Sequence, residues 1–345
     1  MIPKVSICLP NLNNKQYLQE RLDTILSQTL KNWELIVVDG FSNDGSWELF
    51  QKYAQNEPRM KIFQESPKGI YEAFNACIRK ANGEYIYIAT SDDTMKPTCL
   101  EKMVNALEQN PDCSLCQCQL EFIDEQSTPL PEENQWPKIP IGQYLGEWLN
   151  IPHKRLAPHD GLLHFAVLTV YTSVTQLLIR RQVFHRIGYF KDNWGAMSDF
   201  EWEMRASLLH NTVYLPEVLA SWRKHSDQAT TNPYTASNLK QLLDMADSAL
   251  NFAKETDGEQ FKYFEYQELS KFYKSVYIRV GINQQDSLIS KLIFLLLCFF
   301  QYPKIALNYL GTKVRIKSKN QSLNSSIWVQ YQIETLNISE PIKSS

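Results

Sequence analysis

Apolar and polar positions come in short alternating blocks along the first hundred residues. Val5 to Leu9 is a brief apolar-rich run closed by Pro10 and the Asn-rich "NLNN", the pattern of a buried strand ending in a turn. Tyr17, Leu18, Leu22, Ile25 and Leu26 then recur at helical spacing and predict a helix over about 15–28. "WELIVVD" is a second buried strand, closed by Asp39 and Gly40, and "NDGSWELFQKYA" opens with capping residues and continues as a helix. Met60 to Gln64 reads as a short strand. "GIYEAFNACIRKANG" reads as a helix with Gly83 as its left-handed cap. "EYIYIAT" is the next strand, and Asp92 and Asp93 lie just past its end.

Strand and helix in alternation, with short connections, predict an α/β fold: an open, mostly parallel sheet with helices on both faces. In such sheets ligands bind beyond the carboxyl ends of the strands. The Pro10–Asn13 loop, Asp39 and the Asp92–Asp93 pair therefore converge on one edge, whatever the ligand. After a helix near 97–109 and a strand "CSLCQCQLEF", the rhythm breaks. Residues 124–160 are rich in Pro and polar groups around Trp136 and Trp148, and read as a long irregular insertion. A strand "SVTQLLI", helices "RRQVFHRI" and "SDFEWEMRASLL" and a strand pair "TVYLPEVLASWRKH" follow, and the chain turns helical from about 236.

At 345 residues the chain has room for two domains, or one with an appendage, and 43% hydrophobic with 21% charged residues is a globular balance. The net charge of −3 argues against a broad polyanion surface, so nucleic acid is not an expected partner. Seven cysteines, an odd number, favour a reducing, cytoplasmic setting. Cys113, Cys116 and Cys118 invite a zinc reading, but no second ligand pair stands at suitable spacing, and on a strand they read better as small buried hydrophobes. The N-terminal apolar run has no signal-peptide pattern.

Two adjacent carboxylates after a strand have three readings: a solvated turn, an acid/base pair as in glycoside hydrolysis, or ligands for a hard divalent cation that neutralises phosphates. Asp39 at the same edge favours the third. So does the absence of a Gly-rich phosphate loop, since "VVDGFSNDG" matches neither G-x-G-x-x-G nor G-x-x-x-x-G-K. The missing Gly-rich turn also disfavours a nicotinamide-dependent oxidoreductase.

"VSICLPNLNNKQYLQERLDTILSQTLKNWELIVVDGFSNDGS" resembles the start of the large inverting, nucleotide-sugar-dependent glycosyltransferase family two, which has the type-A fold and includes many bacterial surface-glycan enzymes. "KGIYEAFNACIRKANGEYIYIATSDD" is similar to that family's approach to its aspartate motif, and "IGYF", "SDFEWEMR" and "LASWRKHSDQAT" to its acceptor-side segments. The resemblance covers about residues 3–231, apart from the 124–160 loop. It implies a catalytic domain over 1–230, with a nucleotide-sugar half over about 1–110 and an acceptor half over about 111–230. A mainly helical extension would occupy 231–345. It implies that Pro10, Asn11, Asn13 and Asp39 hold a nucleobase and ribose, uracil by preference. Asp92 would contact the ribose or the metal shell, and Asp93 would ligate Mg²⁺ or Mn²⁺. Asp199 matches the catalytic base, with Glu201 an alternative because Ser198 stands where relatives often carry an acid. His225 reads as a metal or diphosphate ligand, Arg223 as a diphosphate contact, and Lys68 as a phosphate or sugar contact. Trp194 and Trp202 flank the base as acceptor-stacking candidates, with Trp202 at core spacing as well. The implied activity is transfer of a hexosyl or N-acetylhexosaminyl group from a nucleotide sugar to a glycan or lipid-linked glycan. The rival is a catalytically silent relative that binds nucleotide sugar or glycan.

"LISKLIFLLLCFFQYPKIAL" is the most apolar stretch, but only twelve uncharged residues separate Lys291 from Lys304, too few to span a bilayer. A basic segment with Lys313, Arg315, Lys317 and Lys319 follows. Two readings stand: an interfacial anchor over 287–320 at the inner membrane face, or a packing helix with a solvated tail.

Overall fold

The computed structural model describes residues 2–131, 145–167, 170–225, 236–259, 278, 281–283, 285–301, 303, 306–307, 310 and 339–341. The first half is the expected βα alternation: β1 (Val5–Asn11), α1 (Lys15–Leu26), β2 (Trp33–Asp39), α2 (Ser46–Ala54), β3 (Met60–Gln64), α3 (Ile70–Lys80) and β4 (Tyr85–Ile88). β1 lies between β2 and β4, with β3 outside β2, and all these pairings are parallel. β1 and β2 are buried along their whole length, as a parallel sheet covered by helices on both faces demands.

The second half adds β5 (Thr94–Met95), α4 (Cys99–Gln109), β6 (Cys113–Ile123), β7 (His153–Arg155), α5 (His159–Val167), β8 (Leu177–Arg180), α6 (Gln182–Ile187), α7 (Ser198–Leu209) and β9 (Asn211–Arg223). α8 (Ala236–Thr256), α9 (Leu288–Gln301) and β10 (Ser339–Pro341) complete the described elements. The strands form one sheet in the order β10-β7-β9-β6-β8-β4-β1-β2-β3, with β5 pairing β9. β8 runs antiparallel between β4 and β6, and β6 and β9 are parallel to each other. The described C-terminal residues thus return a strand to the sheet, beside the helices expected there.

Two local expectations change. "TVYLPEVLASWR" is one strand, β9, rather than a pair. Its register against β6 jumps from Cys118↔Leu215 to Gln119↔Val218 and then Leu120↔Ala220, because Pro216 has no N–H to give a ladder and is taken up in a bulge. Gly83 is not a helix cap. α3 ends at Lys80 with Ala81 extended, and a Cβ at Gly83 would lie 2.6 Å from the Ser6 backbone nitrogen. Gly83 is required by that close approach, where its N–H donates to Ser6 Oγ at 2.8 Å.

All seven cysteines are buried thiols, Cys113, Cys116 and Cys118 among them. Trp202 is core: it stacks on Phe184 at 4.8 Å and donates Nε1–H to the Gly188 carbonyl at 2.9 Å. At the start of α5, Asp160 is buried and accepts from Arg155 Nε at 2.6 Å and from the Tyr171 hydroxyl at 2.9 Å. Trp136, and the rest of 132–144 within the long insertion, lie outside the described residues.

Candidate active site

The first group at the sheet edge follows from register, since Asn11 on β1 faces Asp39 on β2. Both are buried. Asn11 Nδ2–H donates to Asp39 Oδ1 at 2.9 Å and to Ser42 Oγ at 3.0 Å. Ser42 donates its backbone N–H to Asp39 Oδ2 at 2.9 Å and its hydroxyl to Oδ1 at 2.6 Å. Asn13 adopts φ 53°, a left-handed conformation that Asn tolerates, and its Oδ1 accepts the Asn43 N–H at 2.9 Å. Segments 11–14 and 39–44 are therefore zipped into one floor, and Pro10 is buried in β1. Asn11 Oδ1 is buried with no hydrogen-bond partner among the described residues.

The second group depends on β9. Its end pairs with β5, Thr94 against Ser221, which carries Arg223 and His225 to the aspartate pair. Asp93 is buried and accepts the Arg223 backbone N–H at 3.0 Å and the Thr90 hydroxyl. Burial, and then the neighbouring Asp92 charge, push its carboxyl up to about 7. Asp92 Oδ2 lies 3.0 Å from His225 Nε2, and His225 Nδ1 is buried without a partner among the described residues. Arg21 on α1 is also fully buried, and its three guanidinium nitrogens have no hydrogen-bond partner among the described residues. Its positive charge acts to lower the Asp93 carboxyl, against burial and Asp92.

These residues suit a hard cation. Two close carboxylates repel, and an added positive charge relieves the repulsion. With Nε2–H donated to Asp92, His225 keeps a lone pair on Nδ1, the carboxylate–histidine arrangement common beside metals. No group of three or more His, Cys, Asp or Glu side chains converges as a metal site among the described residues. A cation that draws its other ligands from water and phosphate needs no such group.

Arg223 departs from the expected diphosphate contact. Its guanidinium is buried and donates to the Asp92 carbonyl at 2.7 Å, the Asp124 carbonyl at 2.9 Å, Ser127 Oγ at 2.9 Å and Glu20 Oε2 at 2.6 Å. It packs over the Tyr17 ring at 4.8 Å. These contacts tie α1 and the turn after β6 to the aspartate pair. Glu201, the alternative base, is likewise committed: it is buried between Arg205, at 2.9 Å, and Lys191, at 2.8 Å.

Asp199 lies in the first turn of α7 and is half-buried. Its Oδ1 accepts the Tyr71 hydroxyl at 2.9 Å and the Phe200 N–H at 2.8 Å. Burial raises its carboxyl, and those two donors pull the other way. Glu203, one turn on, is buried and pushed well up, by burial and then by the Asp199 charge. Tyr71 is the second residue of α3, after Lys68, Gly69 and Ile70, so its hydroxyl joins Asp199 on α7 to the start of α3. Lys68 is exposed in the loop before α3. Trp194 is half-buried against the core.

The family model described as Glycosyl transferase family 2 matches residues 6–186, over half of the chain. The chain belongs to this family. A 110-residue stretch is 38% identical to the putative glycosyltransferase EpsE of Bacillus subtilis (strain 168), covering 31% of this chain and 40% of that protein. The chain spans only 32–51% of the length of the four B. subtilis relatives it matches first. Among solved structures it is similar to S. aureus TarS 1-349 in complex with UDP-GlcNAc, with a TM-score of 0.54, 16% identity and 93% of each chain covered. It is also similar to the mannosyltransferase PcManGT from Pyrobaculum calidifontis in complex with GDP-Man and Mn²⁺, with a TM-score of 0.54, 16% identity, and 97% of this chain and 86% of that one covered. The fold of this family 2 chain is thus the type-A fold expected from its sequence, with its helical C-terminal region.

Proposed function

We propose that this family 2 chain moves a hexosyl or N-acetylhexosaminyl group from a nucleotide diphosphate donor, a UDP-sugar, to a hydroxyl of a glycan or lipid-linked glycan, with inversion. The observation that carries the reading is the grouping of Asn11, Asp39, Asp92, Asp93 and His225 at the carboxyl edge of one sheet. Asn11 Oδ1 has an open acceptor position for a base N–H, and Asp39 holds that amide in place. Asp93 and His225, with Asp92 beside them, would hold Mg²⁺ or Mn²⁺, which when bound supplies positive charge against the departing diphosphate. Asp199 is the general base. Both of its donors fall on Oδ1, so Oδ2 takes the proton as the acceptor oxygen bonds to the anomeric carbon and the bond to the diphosphate breaks on the opposite face. Lys68, exposed in the loop before α3, would contact phosphate or sugar. We assign 1–230 to catalysis, with donor half 1–110 and acceptor half 111–230, and 231–345 to an extension. The setting is the cytoplasmic side of a membrane, where a lipid-linked acceptor would be met.

Thermal unfolding against a panel of UDP-sugars, with GDP-mannose as control, tests the donor assignment. One UDP-sugar with Mn²⁺ is expected to stabilise the fold by about 2.7 kcal/mol at a hundredfold excess over Kd, roughly 5–10 °C. Little shift is expected without metal. Equal shifts with and without Mn²⁺ would remove Asp93 and His225 from the metal role. No shift with any nucleotide sugar would overturn the donor reading.

A further inference from the structure

α9 buries one side and leaves the other bare. Phe294 and Cys298 face inward and are buried, with Phe294 against Gly281. Leu288, Ile289, Leu292, Ile293, Leu296 and Phe300 are between 52% and 81% exposed. Their spacing places them along one stripe through the length of the helix. An apolar stripe of this extent on a protein surface marks an interaction face.

The occupant follows from length and charge. α9 has 14 residues, about 21 Å at 1.5 Å per residue, short of the ~30 Å hydrocarbon core. No helix among the described residues is long and apolar enough to cross a membrane. From Ser287 to Ile333 the chain carries six Lys and Arg residues and no Asp or Glu. An apolar stripe within an unbalanced cationic stretch suits a surface that is apolar beneath and anionic above. A second copy of the chain would set two such cationic stretches against each other, which opposes pairing through this face. We propose that α9 docks in the plane of an anionic phospholipid bilayer, its stripe among the acyl chains and the flanking Lys and Arg at the headgroups. α9 packs on α8, and α8 packs on α7, which carries Asp199. Docking therefore seats the acceptor half against the bilayer, and this surface stands whether or not the sugar-transfer reading holds.

Co-sedimentation of the full chain with vesicles, without donor or acceptor, tests it. Binding to phosphatidylglycerol/phosphatidylcholine vesicles is expected to exceed binding to pure phosphatidylcholine by at least about tenfold and to fall with salt. Leu292→Glu with Leu296→Glu, both on the outward stripe, is expected to lower vesicle binding by more than about tenfold with an unchanged thermal midpoint. Replacing Lys313, Arg315, Lys317 and Lys319 together by Gln is expected to erase the preference for anionic lipid. Wild-type protein left in the supernatant, equal binding by the double variant, or a preserved anionic preference in the Gln variant would each overturn the proposal. So would a concentration-dependent dimer, lost in the double variant, in protein that ignores vesicles; that result would give the face to a second copy.

Discussion

Asp199→Asn is expected to lower turnover by roughly 10²–10⁴-fold, the usual contribution of a positioned general base, while Mn²⁺-dependent stabilisation by donor persists. Asn is nearly isosteric, and its carbonyl oxygen can still accept from the Tyr71 hydroxyl and the Phe200 N–H that Oδ1 now receives. Geometry is kept and basicity is lost, so the deficit appears in kcat rather than in donor binding. Steady-state kinetics beside thermal unfolding separates the two. Unchanged turnover would remove Asp199 from catalysis and, because Glu201 is held by Arg205 and Lys191, would leave Glu203 as the carboxylate nearest to hand.

Tyr71→Phe makes a finer cut at the same site. The ring packs against Phe74 and Phe190 at 5.8 and 6.0 Å, contacts that Phe retains. Only the hydroxyl donor is lost. That donor lowers the Asp199 carboxyl against burial, so its removal raises the carboxyl further. A base works when ionised, hence the acid limb of the pH–rate profile should move to higher pH, with roughly tenfold loss of rate below it. The titratable neighbours that bear on Asp199 are Tyr71 from α3 and Glu203 from its own helix. Glu203 is itself pushed up by burial and by Asp199, so the limb reports the two carboxyls together. A purely structural tyrosine would shift the thermal midpoint and leave the limb where it was.

The strand ends were legible because a carboxylate or amide directly after a buried apolar run has few other uses. Asn11, Asp39, Asp92 and Asp93 stood out for that reason, and parallel register places Asn11 against Asp39. Spacing along the chain does not tell which way a side chain points. Arg223 and His225 end the same strand, yet His225 turns to Asp92 while Arg223 is buried under the turn after β6. Arg223's partners come from three places, Glu20 on α1, the Asp92 carbonyl, and Asp124 with Ser127 in the turn after β6, and carry no common pattern. Ser42 had a faint signal, a hydroxyl three residues after an Asp, where such turns form. Tyr71 and Arg21 had none: each lies on an apolar helix face and reads as packing until its partner, or the lack of one, is seen. Glu201 and Asp199 sit two positions apart on α7, about 200° around the helix. One therefore faces Tyr71 and the other Arg205.

Arg223→Met is expected to destabilise the fold by about 3–5 kcal/mol, lowering the thermal midpoint by roughly 6–20 °C. The pair with Glu20 is not the main reason. Glu20 is 42% exposed, and a half-exposed ion pair contributes little. The larger cost is that the charged guanidinium's hydrogen bonds to the Asp92 carbonyl, the Asp124 carbonyl and Ser127 Oγ are lost together, at about 1.5–3 kcal/mol for a hydrogen bond to a charged group, while the Asp124 carbonyl keeps the Ser127 N–H at 3.1 Å. Met fills the volume over Tyr17 but has nothing to donate. Arg223→Lys should recover little, because one ammonium cannot serve acceptors that a planar fork reaches on several sides. A phosphate-contacting arginine would behave differently: its loss would leave the melting transition in place and raise the donor KM. Melting curves without ligand, set beside donor titrations of the same variants, decide between them. A stable Arg223→Met protein with weakened donor binding would return this residue to the diphosphate.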